Sequence, residues 1–450
     1  MGRLTSYNLL VILYTGLPAV GLYLMEQGAY GINIGRTGYP NGVLQAYVLH
    51  MAVMFGVYLG VYWVLRRTGT RMSPQVPARG VSGSEMPSLA IYSTRQFRRL
   101  AAVVIATSLL ASFFLYFIVG ASEVMRGTIG KGEFRSQMGP YGIPAYYLRD
   151  FLVPMTGAVA AFVYVRCRPK AVDRILLCSS LAAVALYPSL WGYKAATLTR
   201  LIPVFLLLVP RVSLLSATAL VGMGYGSAVL FSMLYDTPVP ADAAGFVLVR
   251  ATSGMADAMW KVWDEYSSNA TLPPYWPTWI SGLGGRLGTL LGLYDRGADI
   301  TWYAYDFSAL TTLVAKGYAL EVDVALSNVT VTPFGEGVIA FGSPGFVFFS
   351  ILAGFVLAAN RHLLEVGQRR CRPVLAVLAA TYFGASTSQW LESGGGTALI
   401  NLPFVVYYLA SHTVLRSLLG WTGIRAHWTV PRPSRLGGPV GSRKREGTRE

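Results

Sequence analysis

Ten stretches of this chain are long and apolar enough to cross a bilayer, and no other feature limits its fold so tightly. They lie near residues 5–25, 43–65, 100–121, 146–165, 175–191, 196–210, 213–235, 336–359, 373–390 and 398–418. A hydrocarbon core about 30 Å thick takes roughly 20 helical residues to cross. A helix also satisfies its own backbone hydrogen bonds where no water is present. Only 13% of the residues are charged and 53% are hydrophobic, against about 25% charged in ordinary soluble proteins. Charge is scarce because an ionised side chain in hydrocarbon costs several kcal/mol. These features predict an all-α polytopic membrane protein with about ten transmembrane helices. Pro188, Gly192 and Lys194 interrupt the fifth and sixth stretches, which read equally as a re-entrant pair or as two tilted spans. The first stretch is followed by MEQGAYGIN rather than by small residues suited to cleavage, so it is expected to be a retained span.

The net charge is +16. In a soluble protein that excess would point to nucleic acid, but in a membrane protein it points first to cytoplasmic loops rich in Lys and Arg. Its distribution agrees with the second case. The segment 66–99 carries Arg66, Arg67, Arg71, Arg79, Arg95, Arg98 and Arg99 against the single acid Glu85. RCRPKAVDR (166–174), NRHLLEVGQRRCR (360–372) and the tail from Gly420 are also basic, whereas 236–335 has five Lys or Arg against ten Asp or Glu. Ten spans place every basic segment on one side and 236–335 on the other, with both termini cytoplasmic. Four regions follow: an N-terminal bundle of about seven helices (1–235), a large extracytoplasmic loop (236–335), about three C-terminal helices (336–418) and a basic cytoplasmic tail without fixed structure (419–450). Within the loop, FVLVRATSGMADAMWKVWDEY predicts an amphipathic helix. Leu248, Met255, Met259, Val262 and Tyr266 fall on one face, and Arg250, Gly254, Asp257, Lys261 and Asp264 on another.

The polar residues narrow the chemistry. The large loop contains neither His nor Cys, which argues against His-based acyl transfer, a thiol nucleophile or a His-ligated zinc there. Cys167, Cys178 and Cys371 offer no plausible disulfide across that loop and no CxxC spacing. By contrast, EVMRGTIGKGEFRSQMGPYGIPAYYLRD places Arg126, Lys131, Arg135 and Arg149 beside Glu123, Glu133 and Asp150 in a glycine-rich outer segment. Arg offers bidentate contacts and Gly lets backbone N–H groups approach, so the segment suits a pyrophosphate. Pairing with the neighbouring acids or with lipid headgroups explains it equally. Lys194 and Arg200 are charges in an apolar stretch, which mark either a functional cavity or snorkelling side chains. Arg250 and Asp257 lie two turns apart and could hold a phosphate or sugar and supply a base, or simply be solvated. Tyr275, Trp276, Trp279 and Trp302 suit sugar stacking or an interfacial aromatic belt. Glu336 faces a cavity or caps a helix.

The segment SNVTVTPFGEGVIAFGSPGFVFFSILAGFVLAANRH (327–362) resembles the Wzy-type polymerases of bacterial oligosaccharide repeat units, in its order of outer loop, GE, FG, PG and then LAG within a span. The layout of many spans, a short basic outer loop, an interrupted GYK segment, one large late outer loop and a closing helix pair is similar too. The resemblance implies a GT-C-like bundle in the bacterial inner membrane. It also implies transfer of a glycan from undecaprenyl pyrophosphate onto the sugar of a second lipid-linked unit. Family arginines would correspond to Arg126, Arg135 and Arg250. Lys194 would stand where members often carry Arg in G-x-R, supplying charge without the guanidinium fork. Arg135 and Arg250 would then be catalytic, Arg126, Lys131, Lys194 and Arg200 would bind pyrophosphate, and Glu133, Asp257 or Glu336 would be the base. The implied partners are the lipid-linked donor and acceptor, the bilayer and a chain-length regulator. No cofactor, metal or nucleic acid is implied. Related ligases use a histidine in the large outer loop, which is missing here. A flippase or transporter of a lipid-linked or small anionic substrate, or another polyprenyl-dependent glycosyltransferase, is the alternative.

Overall fold

The computed structural model describes residues 4–28, 39–71, 91–129, 134, 138–191, 194–235, 242–268, 311, 331–396, 399 and 402–424. The described chain is mostly helical. Its helices are α1 (Ser6–Glu26), α2 (Val43–Arg71), α3 (Thr94–Phe113, continued by a π-helical turn at Phe114–Ile118), α4 (Ala121–Met125) and α5 (Gly142–Tyr147). A π-helical turn, Leu148–Leu152, joins α5 to α6 (Val153–Tyr164). Then come α7 (Ala171–Ser189), α8 (Lys194–Leu208), α9 (Leu214–Tyr235), α10 (Ala243–Ser268), α11 (Pro333–Phe341) and α12 (Gly345–Arg369). The last are α13 (Pro373–Tyr382), a third π-helical turn (Phe383–Thr387), α14 (Ser388–Ser393) and α15 (Leu402–Trp421).

Among the described residues, five helices are long and apolar enough to cross a membrane: Ser6–Glu26, Val43–Thr68, Thr94–Ile118, Ala171–Ser189 and Gly345–Arg369. Leu198–Leu208 and Leu214–Leu230 are shorter apolar helices. Large apolar side chains face outward from the bundle, with Leu110 69% and Leu409 62% exposed. Water would penalise such a surface and lipid would not. The chain is therefore a mostly helical membrane protein.

The helix starts explain how the basic segments come together. Thr5 caps α1 by accepting the Asn8 N–H, and Ser93 with Gln96 forms a reciprocal cap on α3. Strand β1 (Leu4–Thr5) pairs antiparallel with β2 (Arg211–Val212), fixing the start of α1 beside the α8–α9 turn. Arg98 of α3 binds Asp173 of α7 at 2.6 Å. The Ile91 N–H donates to the Arg166 carbonyl, and Arg166 donates to the Gln368 carbonyl. Gln368 in turn donates to Leu206, and Gln96 to Gly423. The starts of α1, α3 and α7 and the ends of α6, α8, α12 and α15 thus share one basic end of the bundle. The stretches 175–191 and 196–210 form two separate helices, α7 and α8.

Small residues set how closely the helices approach. A Cβ on Gly354 of α12 would lie 2.6 Å from the Met54 carbonyl of α2, and one on Gly337 of α11 would lie 2.7 Å from the Gly345 carbonyl. A Cβ on Gly21 of α1 would lie 2.6 Å from the Ala256 Cβ of α10. The helix expected within the large loop is present as α10, yet its two faces are not divided as the pattern predicts. Ala256, Asp257, Ala258, Met259 and Trp260 are all fully buried, so the helix is enclosed on every side there. Leu248 is exposed. Contact with α1 and α11, together with indole N–H bonds from Trp260 and Trp263 to the Tyr39 and Asn41 carbonyls, accounts for the difference.

Candidate functional site

Away from the basic end, a second group of charges lies where α8, α10, the α5–α6 junction and the α13–α14 junction approach one another. Each junction carries a π-helical turn. In such a turn the i→i−4 ladder is broken, which re-aims side chains and frees carbonyls, and these turns recur at functional sites. At Leu148–Leu152 the turn presents Arg149 and Asp150 side by side. Arg149 grips Asp150 through two bonds, Nε to Oδ1 at 2.7 Å and Nη2 to Oδ2 at 3.1 Å. The Arg149 guanidinium also lies 4.6 Å from the Tyr146 ring centroid and 4.5 Å from that of Trp191.

Arg200 reaches the same carboxylate from α8, with Nη2 2.9 Å from Asp150 Oδ1. Its Nη1 donates to the Gly384 carbonyl at 3.1 Å, inside the Phe383–Thr387 turn. Gly384 permits this approach, since a Cβ there would lie 2.8 Å from the Pro203 ring one turn beyond Arg200. Arg200 is buried, and its Nε has no hydrogen-bond partner.

Gly384, Ser388 and Glu392 follow at four-residue intervals, which puts them on one helix face. Ser388 donates to the Gly384 carbonyl at 3.0 Å and lies near the Tyr14 phenol of α1. Glu392 lies half-buried within electrostatic range of Arg200, of Tyr14 and of Arg250 on α10. Among the described residues it forms neither an ion pair nor a hydrogen bond, and Arg250 forms no ion pair either. Three guanidiniums against two carboxylates leave one positive charge in excess. Arg250 is exposed, but Arg149 and Arg200 are enclosed around the single Asp150 carboxylate. Enclosed charges are costly unless compensated, so the excess suits an anion with hydroxyl groups beside it.

Of the residues expected to act, Arg200 and Arg250 are brought to this cluster. Lys194 opens the same helix as Arg200. Arg126 stands exposed at the C-cap of α4. Asp257 is fully buried and accepts the Ala258 N–H at 2.7 Å. Glu336 is also fully buried, and its carboxylate accepts the Trp390 indole N–H at 2.6 Å and the Gly396 N–H. It thereby ties α11 to the end of α14. Lys131, Glu133, Arg135, Tyr275, Trp276, Trp279, Trp302 and the tail beyond Ile424 lie outside the described residues. Arg149 and Asp150 belong to the segment expected to suit a pyrophosphate but were given no individual role, and Tyr14 and Glu392 were not singled out from the sequence. The signal for Glu392 was available, because it is the lone acid in the run from Pro373 to Gly396.

A separate apolar cavity of about 370 Å³ opens between α12, α13 and α15, with Phe355, Asn360, Tyr382, Tyr408 and Leu409 in its wall. Tyr407, the neighbour of Tyr408, turns the other way, with its ring 5.6 Å from Phe151 and 5.4 Å from Tyr147. One helix, α15, therefore borders both the cavity and the Arg149–Asp150 turn. Among the described residues no group of three His, Cys, Asp or Glu side chains forms a metal-binding set. No protein-family model, curated protein or solved structure matches the chain.

Proposed function

We propose that the protein is a membrane glycosyltransferase that polymerises oligosaccharide repeat units carried on undecaprenyl pyrophosphate. The observation that carries this is the net-positive cluster of buried Arg200, half-buried Arg149 and exposed Arg250, with the Arg200 Nε unfilled. A pyrophosphate leaving group gains charge as the glycosidic bond breaks. Guanidiniums fixed in advance, in a site of low dielectric, stabilise that charge without reorganising. The apolar cavity beside α15 supports an amphiphilic substrate, whose tail stays in apolar surroundings while its head meets the charges. The resemblance of 327–362 to Wzy-type polymerases supports the same chemistry.

The molecule would then cross the inner membrane ten times in a GT-C-like arrangement, with α5–α6, α8, α9, α13–α14 and α15 added to the five helices that are long and apolar enough to span. The basic end would face the cytoplasm, together with both termini, and the cluster would serve lipid-linked units presented from the outer face. A chain-length regulator would be a further partner. The test is the surface-glycan ladder of cells lacking the protein. Loss of all bands above one repeat, restored by the wild-type gene but not by Arg200→Ala or Arg250→Ala, is expected. Complete loss of surface glycan, with lipid-linked units trapped inside, would indicate export instead.

A further inference from the structure

Glu392 is the one carboxylate of the cluster whose oxygens are not already engaged. Asp150 is held by Arg149 and Arg200, and Glu336 by Trp390 and Gly396. Asp257 bonds within its own helical turn. Glu392 faces Arg200 from α8, Arg250 from α10 and the Tyr14 phenol from α1, with Ser388 one turn back on its own helix. Both guanidiniums lie within electrostatic range, yet neither closes to an ion pair. A carboxylate left open between two separated guanidiniums has room for a ligand that offers hydroxyls to the acid and anionic oxygens to the bases.

The backbone holds Glu392 in that position from both directions. One turn earlier, the Ser388 hydroxyl is tied to the Gly384 carbonyl. Immediately after it, Gly394 (φ 68°) and Gly395 (φ 75°) reverse the chain in a conformation that other residues rarely adopt. The Ser393 carbonyl accepts the Val331 N–H, and Gly396 donates to Glu336. The side chain thus stands at the end of a helix whose last turn is pinned on both sides.

We propose that Glu392 is the catalytic residue that accepts the proton of the attacking sugar hydroxyl, an assignment that rests on the polymerase function proposed above. The acceptor O–H gives its proton to the Glu392 carboxylate as its oxygen bonds to the anomeric carbon of the donor. The bond from that carbon to pyrophosphate breaks, and its electron pair leaves with the lipid pyrophosphate, whose charge Arg200 and Arg250 receive. Glu392 then returns the proton to water. Glu392 thus lies at the end of a helix rather than in the outer segments where Glu133 and Asp257 were expected to supply the base.

The experiment uses purified full-length protein in lipid nanodiscs with a synthetic pyrophosphate-linked repeat unit, and measures polymer formation alongside binding of undecaprenyl pyrophosphate. Glu392→Gln keeps the shape of the side chain but cannot take the proton. It should slow polymerisation by about 10²-fold or more, the usual scale of a lost general base, with lipid pyrophosphate binding unchanged within about threefold. Glu392→Asp should recover part of the rate. A melting temperature equal to that of the wild type would show that the variant is folded. Glu392→Gln polymerising as fast as wild type would overturn the assignment alone, as would equal losses of rate and binding. A wild-type protein that forms no polymer would overturn the polymerase function and the assignment with it.

Discussion

Asp150 shows how one residue can control several others. Its carboxylate sits between Arg149 and Arg200, and without it two guanidiniums would face each other in a half-buried site. Asp150→Asn is therefore expected to lower stability by a few kcal/mol, because breaking one partner of such a set leaves charge uncompensated. Thermal unfolding in detergent would measure this, and an unchanged midpoint would count against the pairing. Arg200 makes a different demand, since its planar fork reaches Asp150 and the Gly384 carbonyl at once. Lysine supplies one ammonium on a flexible stem and cannot do both. Arg200→Lys should keep the fold yet lose roughly 10- to 100-fold in polymerisation rate, the equivalent of one charge-assisted hydrogen bond. Arg200 and Arg250 were legible in the sequence as charges out of place for their surroundings. Their meeting with Asp150 and Glu392 was not, because hydropathy and spacing carry no information on contacts between residues so distant in the chain.

Among the elements, the helix pattern was the most readable part. Apolar length predicts the five helices able to cross a membrane, and Pro188 falls in the last turn of α7. The π-helical turns were not readable, since nothing in LRDFL or FGAST distinguishes them from ordinary helix by periodicity. The enclosure of α10 was hidden for a related reason. Its pattern looks two-faced, but Gly21 admits the helix so closely that its middle is buried all round. The same logic governs α8 against the Phe383–Thr387 turn. Gly384→Ala should push the Pro203 ring away and destabilise the protein by about 1–3 kcal/mol, as overpacking commonly does. It should also withdraw Arg200 from the Gly384 carbonyl, so rate and melting temperature should fall together. Glu336→Ala should leave the Trp390 and Gly396 N–H groups unpaired in a buried site and cost about 2–3 kcal/mol. Either variant melting like wild type would argue against the packing described.

At the scale of the whole molecule, the bundle has one basic end, and the contacts among Ile91, Arg98, Arg166, Asp173 and Gln368 join its turns there. Charge distribution alone predicted that these segments share a side. With the three native cysteines replaced, Thr68→Cys should be labelled by a membrane-impermeant thiol reagent only from the cytoplasmic face, and Thr128→Cys only from the outer face. Labelling of both from one face would contradict the arrangement. The glycosyl-transfer function itself is tested most directly by sealed vesicles holding only the purified protein and a fluorescent pyrophosphate-linked repeat unit. Polymerisation predicts a ladder of products rising in single-repeat steps, absent with Arg200→Ala. Unaltered single repeats that move from one leaflet to the other in the presence of the protein would contradict it and make the protein a lipid-linked-sugar transporter.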